Sequence, residues 1–176
     1  MKVSLIVTTF NRPTYLAQCL RSLRAADLSA LESIIIVDDG STDPQTKRLI
    51  YEFDYPKVNI IRLMMADNKG IKRSLQVGYK QAFLTSDLAI NLDADAVVRN
   101  DFITVLLDLQ SRFKTYVISG FNTTVLNRNP IITESADFFL KTYASGINMC
   151  INKHLYDHYI QPALHMAGNW DLNAVS

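Results

Sequence analysis

At 176 residues, with 48% hydrophobic and 20% charged residues, the chain has the make-up of one ordinary globular domain with room for a substantial core. A net charge of +1 gives no general electrostatic grip on nucleic acid or an anionic membrane, so any phosphate recognition has to be local. Cys19 and Cys150 sit in apolar segments without metal-ligand spacing and read as reduced core residues, and with no secretory pattern and no apolar run of spanning length the cytoplasm is the expected compartment.

Lys2 to Thr9 is β-branched and apolar and predicts a buried strand. Asn11 and Pro13 mark a helix start, with Leu16, Leu20 and Leu23 at helical spacing and Arg21 and Arg24 on the other side. Ser33 to Val37 is a second strand, stopped by Asp38-Asp39-Gly40-Ser41. Asp43-Pro44 then restarts a helix through about Phe53. Val58 to Met65 is a third strand, and Asn68-Lys69-Gly70 turns into a basic helix from Lys72 to Phe83. Leu88 to Asp95 reads as a fourth strand whose apolar run ends in two carboxylates, Asp93 and Asp95. Asn100 is expected to cap a helix with Phe102, Val105, Leu106 and Leu109 on its apolar side. Beyond it the reading is a strand at Tyr116 to Phe121, a polar loop from Asn122 to Pro130 and a helix at Ser135 to Tyr143. A short strand at Ile147 to Ile151 and a helix at His154 to Ile160 follow.

Alternating strands and helices predict a mostly parallel central sheet with helices on both faces. In such sheets ligands bind beyond the carboxyl ends of the strands. Three strands here end in polar, site-like sequences: Thr8-Thr9, Asp38-Asp39 and Asp93-Ala94-Asp95. If the strands are parallel, these endings meet in one crevice. Asp93 and Asp95, two apart, are expected to leave the sheet on one face and to repel each other unless a cation neutralises them. Mg²⁺ or Mn²⁺, hard ions that bring substrate phosphates with them, fit such a pair; an Asp-rich turn is the plainer alternative.

Other nucleotide folds lack their signatures. There is no G-x-G-x-x-G after the first strand, no G-x-x-x-x-G-K-[ST], no G-x-S-x-G elbow and no Cys/His nucleophile pair.

The blocks VTTFNRPTYLAQCLRSL, VDDGSTD, NKGIKRSLQVGY and NLDADAVV follow one another through roughly the first hundred residues. In order and approximate spacing they resemble family 2 glycosyltransferases of the GT-A, nucleotide-diphospho-sugar transferase fold; SGINMCINKHLYD and GNWD resemble later blocks of that family. The resemblance implies an inverting transferase that moves a sugar from a nucleotide diphosphate, commonly of uridine, to a saccharide or lipid-linked acceptor with Mn²⁺ or Mg²⁺. The net charge points to no nucleic-acid partner and the lengths of the apolar runs to no transmembrane segment, and peripheral membrane association stays open. The resemblance places Thr8 and Thr9 at the base pocket, Asn11 among the donor-binding residues, Asp39 on the base, Asp93 near the ribose and Asp95 on the metal, with Asp93 beside it. Gly70 belongs to the third donor block, which departs from the family: Ser74-Leu75-Gln76 stands where many members carry Ala-Arg-Asn. Lys72 and Arg73 are the nearest substitutes for the missing positive charge, or else a solvated helix face.

Asp171 matches the catalytic base that takes the acceptor's proton, although Trp170 replaces the Glu that precedes it in relatives; helix capping is its plainer role. Asp137 is the next carboxylate for that part. Trp170 reads as an acceptor platform or a core anchor, and His165, His154 and His158 read as surface residues; Phe138, Phe139 and Tyr143 read as core. The chain ends shortly after Asp171, where relatives usually continue, so an incomplete acceptor side is expected. Two rival readings remain: a sugar-1-phosphate nucleotidyltransferase, whose Gly-rich loop is absent here, and a non-catalytic nucleotide-sugar-binding domain.

Overall fold

Seven consecutive buried residues, Val3–Thr9, form β1, the strand against which the rest of the sheet is laid. The structure, a computed structural model, describes residues 1–115, 117–119, 131–134, 139–141 and 148–162. After β1 come α1 (Pro13–Ala25), β2 (Ser33–Asp38), α2 (Pro44–Glu52), β3 (Asn59–Met64), α3 (Ile71–Ala82), β4 (Leu88–Asp93) and α4 (Phe102–Arg112). The later elements are β5 (Ile118–Ser119), β6 (Ile131–Glu134), β7 (Phe139–Lys141), β8 (Asn148–Asn152) and a short α5 (Lys153–Leu155), which runs into a π-helical turn at Tyr156–Ile160.

The main sheet has the order β3-β2-β1-β4-β8-β5. β1 to β4 are mutually parallel, as their continuous apolar runs predict, and β8 is antiparallel to both β4 and β5. The chain steps outward from β1 through β2 to β3, then returns to the other side of β1 with β4. The order therefore reverses between β1 and β4, and the crevice of a doubly wound sheet opens at that point.

Alternation along the strands divides the core between two faces. Leu5, Val7, Ile34, Ile36, Ile90 and Leu92 pack with Leu16, Leu20, Leu23, Phe53, Ile103 and Leu106 on the face covered by α1, α2 and α4. Ile6, Ile35, Val37 and Ala89 meet Leu75, Tyr79 and Tyr156 on the opposite face. There α3 lies so close that a Cβ at Gly78 would meet Ile6 Cγ2 at 2.5 Å. Cys19 and Cys150 are buried free thiols, as expected.

Several local expectations are corrected. The helix expected over Ser135 to Tyr143 is interrupted by β7, which pairs antiparallel with the unexpected β6; ladder hydrogen bonding overrides the local helical pattern. Asn100 does not cap α4. The cap position is Asp101, without a side-chain bond, and the Asn100 carbonyl instead accepts the N–H of Asp27. Val105 is exposed, and Ile103 and Gln110 are turned inward in α4 instead. The last expected helix is mostly π-helical, with Tyr156 turned onto the ring of Tyr79 at 4.8 Å.

Candidate functional site

The crevice is assembled from the carboxyl ends of β2, β1 and β4, held in register. Thr9 stands opposite Asp38, and Thr8 lies between Val37 and Asp93. Thr8 and Thr9 are buried, so they form the floor where the three endings meet.

Beyond β2 the chain is fixed by its own carboxylates. The side chain of Asp38 accepts the N–H of Ser41, and the N–H of Asp39 donates to the carbonyl of Thr9. Asp39 is buried, with its two carboxylate oxygens turned to the start of α3: Oδ1 accepts the N–H of Lys69 at 2.8 Å and Oδ2 that of Gly70 at 2.9 Å. Each oxygen retains a further acceptor site for a ligand N–H. Gly40, at φ 74°, lets this loop touch the β3–α3 loop, for a Cβ there would stand 2.7 Å from the backbone nitrogen of Asn68. Gly70, at φ 84° and ψ 162°, has open space around it, and its requirement for glycine is conformational alone.

Asn11 fastens the β1 loop to the β2 loop. Its N–H donates to Ser41 Oγ at 2.7 Å, and its side-chain oxygen accepts the N–H groups of Thr42 and Asp43. This expected donor-binding residue thus spends its side-chain carbonyl oxygen on the scaffold. Asn11 and Arg12 both adopt left-handed backbone, at φ 53° and 56°.

On the other side of the reversal point stand the two carboxylates of β4. Asp93 ends the strand half-buried, but Asp95 lies beyond it in a turn closed by the Ala96 N–H on the Asp93 carbonyl. The strand rule that placed both side chains on one face therefore does not govern Asp95. The two carboxylates still sense each other: burial, and then the charge of Asp95, push the Asp93 carboxyl up to about 6. Beneath them the thiol of Cys19 is pushed up to about 12, first by burial and then by the charges of Asp95 and Asp93. Nη1 of Arg12 stands 3.7 Å from Oδ2 of Asp95.

A carboxylate raised by its neighbour's charge is relieved by a bound cation, and an acidic pair at a strand end suits a hard ion with oxygen ligands. Among the described residues no cluster of three or more His, Cys, Asp or Glu side chains is arranged for a metal. Among the described residues the carboxylates that could hold such an ion are Asp93 and Asp95, a pair that suits an ion completed by phosphate oxygens and water.

Of the residues singled out in the sequence, Thr8, Thr9, Asp39, Gly70, Asp93 and Asp95 come together at these loops. Lys72 and Arg73 begin α3, and Arg73 Nη1 lies 3.4 Å from Oε1 of Gln76. Asp171, Trp170, His165, Asp137, Phe138 and Tyr143 lie outside the described residues, as does the side chain of Phe139. His154 and His158 are exposed neighbours on the short helix, as expected, and the ring of His158 is bonded to the carbonyl of His154. The sequence reading missed Arg12, and no spacing rule marks it. Its one signal was an arginine directly before Pro13 at a helix start, where a cation is out of place.

The sequence profile described as glycosyl transferase family 2 matches residues 4–159. An N-acetylglucosaminyltransferase of Bradyrhizobium elkanii is 33% identical over 138 residues, covering 72% of each chain. An undecaprenyl-phosphate 4-deoxy-4-formamido-L-arabinose transferase of Yersinia pestis is 33% identical over 154 residues, which is 86% of this chain but 43% of that one. Against an N-acetylglucosaminyltransferase of Bradyrhizobium diazoefficiens the aligned part is 60% of this chain and 21% of the relative. Among solved structures, TarS 1–349 of S. aureus in complex with UDP-GlcNAc superposes with a TM-score of 0.66 at 20% identity, covering 89% of this chain and 47% of that one. The mannosyltransferase PcManGT of Pyrobaculum calidifontis, in complex with GDP-Man and Mn²⁺, gives a TM-score of 0.69 at 18% identity, covering 89% and 46%. The chain thus spans less than half the length of most of these proteins.

Proposed function

The chain belongs to glycosyl transferase family 2 and has the GT-A fold, and on that premise we propose that it is the donor-binding part of an inverting, metal-dependent transferase. The donor is a nucleoside diphosphate sugar, with uracil as the base, and the acceptor a saccharide or a lipid-linked acceptor. One observation carries this reading: a buried carboxylate, Asp39, and an acidic pair, Asp93 and Asp95, face one crevice from opposite sides of the strand-order reversal. The relatives lend support, since a neighbour of the same fold binds UDP-GlcNAc and another binds GDP-Man with Mn²⁺. The Yersinia relative's name specifies a lipid-phosphate acceptor, which supports work at a membrane surface; among the described residues no helix is long and apolar enough to cross one.

In this reading Asp39 accepts the N–H of the pyrimidine, its carboxylate held in place by the amides of Lys69 and Gly70. Thr8 and Thr9 close the floor beneath. Asp95, with Asp93, would hold Mn²⁺ or Mg²⁺, which would supply the charge that neutralises the leaving diphosphate. The acceptor hydroxyl attacks the anomeric carbon as the bond to the diphosphate breaks, the electron pair leaves with the nucleoside diphosphate, and Asp171 takes the hydroxyl proton.

Membership of this family sets the nucleotidyltransferase reading aside. A screen of nucleoside diphosphates and their sugars, with and without Mn²⁺, tests the rest by melting temperature and by release of nucleoside diphosphate. Stabilisation by uridine diphosphate that requires Mn²⁺, together with slow donor turnover, is expected. Tight binding without turnover would identify a binding domain, and no response to any nucleotide would refute the reading.

A further inference from the structure

Arg12 contradicts three local preferences at once. Its backbone is left-handed, a conformation that favours glycine and asparagine; it precedes Pro13, which favours extended backbone; and it puts a cation at the N-terminus of the 13-residue helix α1. The preceding residue is held from outside, by the bonds that tie Asn11 to Ser41, Thr42 and Asp43, and the Arg12 carbonyl is taken by the Leu16 N–H in the first turn of α1. A residue kept against so many local preferences points to work done by its side chain. That side chain crosses the β1–β4 reversal point to stand 3.7 Å from Asp95.

The pair is open to water, with 73% of the Arg12 side chain and 50% of the Asp95 side chain exposed. An ion pair so exposed is weak and exchanges readily. Asp95 is also the carboxylate best placed to hold a divalent ion, and the same oxygens cannot fully serve both cations. A guanidinium released there is a permanently charged fork of donors, shaped for phosphate oxygens.

We propose, resting on the reading of Asp95 as a metal ligand, that Arg12 is an exchangeable counter-ion: it neutralises Asp95 when no metal is present, yields that carboxylate to the incoming divalent cation, and turns its guanidinium to the diphosphate oxyanions of the donor. The exchange keeps an acidic mouth from repelling the diphosphate and couples metal entry to the positioning of the leaving group.

Arg12→Asn tests this, because asparagine accepts left-handed backbone and helix N-caps, so the fold and melting temperature persist while the charge is gone. Titration calorimetry with Mn²⁺ alone should show the variant binding the ion about one-and-a-half- to fivefold more tightly than the parent, the range for losing an exposed competing pair. With Mn²⁺ saturating, the variant should bind uridine diphosphate about tenfold or more weakly, since a charge-assisted contact is lost. Arg12→Lys, which keeps the charge but not the fork, should leave Mn²⁺ affinity near that of the parent and fall between the two for the diphosphate. Mn²⁺ binding in Arg12→Asn equal to or weaker than the parent's overturns the proposal, as does unchanged diphosphate affinity. A parent chain that binds no Mn²⁺ overturns the metal reading of Asp95 itself, and this proposal with it.

Discussion

The carboxylate of Asp39 and the backbone N–H of Gly70, 31 residues apart, are joined by a bond of 2.9 Å, and the companion oxygen takes the N–H of Lys69 at 2.8 Å. The end of β2 is therefore stitched to the start of α3 through the same side chain that is proposed to read the base. Asp39→Ala leaves the Lys69 N–H without its carboxylate and the Gly70 N–H with Oδ1 of Asn68 alone, at a cost of about 1–3 kcal/mol where water cannot replace it. The variant should be less stable without any ligand, seen in denaturant unfolding, and should bind uridine diphosphate about ten- to a hundredfold more weakly. Asp39→Asn keeps one acceptor oxygen and should be intermediate in stability, yet it presents an N–H where the pyrimidine needs an acceptor. A fully stable Asp39→Ala would deny the stitching role.

The two glycines that flank this stitch separate strain from contact. Gly70→Ala meets no neighbouring atom and carries only the cost of its backbone angles, about 1–3 kcal/mol. Gly40→Ala carries a comparable strain and also drives a methyl group into the backbone of Asp67 and Asn68, so about 2–5 kcal/mol is expected. Equal unfolding free energies for the two variants would show that the β2 and β3–α3 loops do not touch as described.

Asp93 has its carboxyl raised to about 6 by burial and by Asp95. Between the ordinary carboxylate range and that value the folded chain binds more proton than the unfolded one. Stability should thus be fullest below about pH 4 for this group and be lost as the pH rises through 6. In a chelating buffer Asp93→Asn should flatten that decline and raise the unfolding free energy at pH 7 by an amount on the order of 1–3 kcal/mol. An unchanged pH profile in Asp93→Asn would remove Asp93 as its source.

How much of this was legible before the fold? Continuous apolar runs and their polar endings located β1, β2 and β4 to within a residue or two and brought Thr8, Asp39 and Asp93 to one edge, because parallel strands must share their carboxyl ends. What the pattern missed is set by backbone geometry without a period. The turn at Ala94–Asp95 takes Asp95 out of the strand's alternation, and the left-handed pair Asn11-Arg12 aims a side chain that no spacing rule tracks. β6 and β7 were missed because a short strand's partner is chosen by the ladder it completes rather than by its own residues.

Asp171, outside the described residues, is expected to be the base, and Asp171→Asn separates that role from helix capping. Asparagine caps about as well as aspartate, so the melting temperature and the affinities for Mn²⁺ and uridine diphosphate should hold. Sugar transfer should fall by about a hundredfold or more, measured as product formed under saturating donor. Retained transfer would move the base elsewhere, with Asp137 next to be replaced.

Asp95 is proposed to couple a divalent ion to the diphosphate of the donor, and calorimetric titration of uridine diphosphate into the parent chain and Asp95→Ala, each with Mn²⁺ and with chelator, reads that coupling out. In the parent Mn²⁺ should tighten binding by about tenfold or more. In Asp95→Ala that tightening should vanish while the weaker affinity for uridine stays unchanged. The same Mn²⁺-dependent gain in Asp95→Ala as in the parent would contradict the claim.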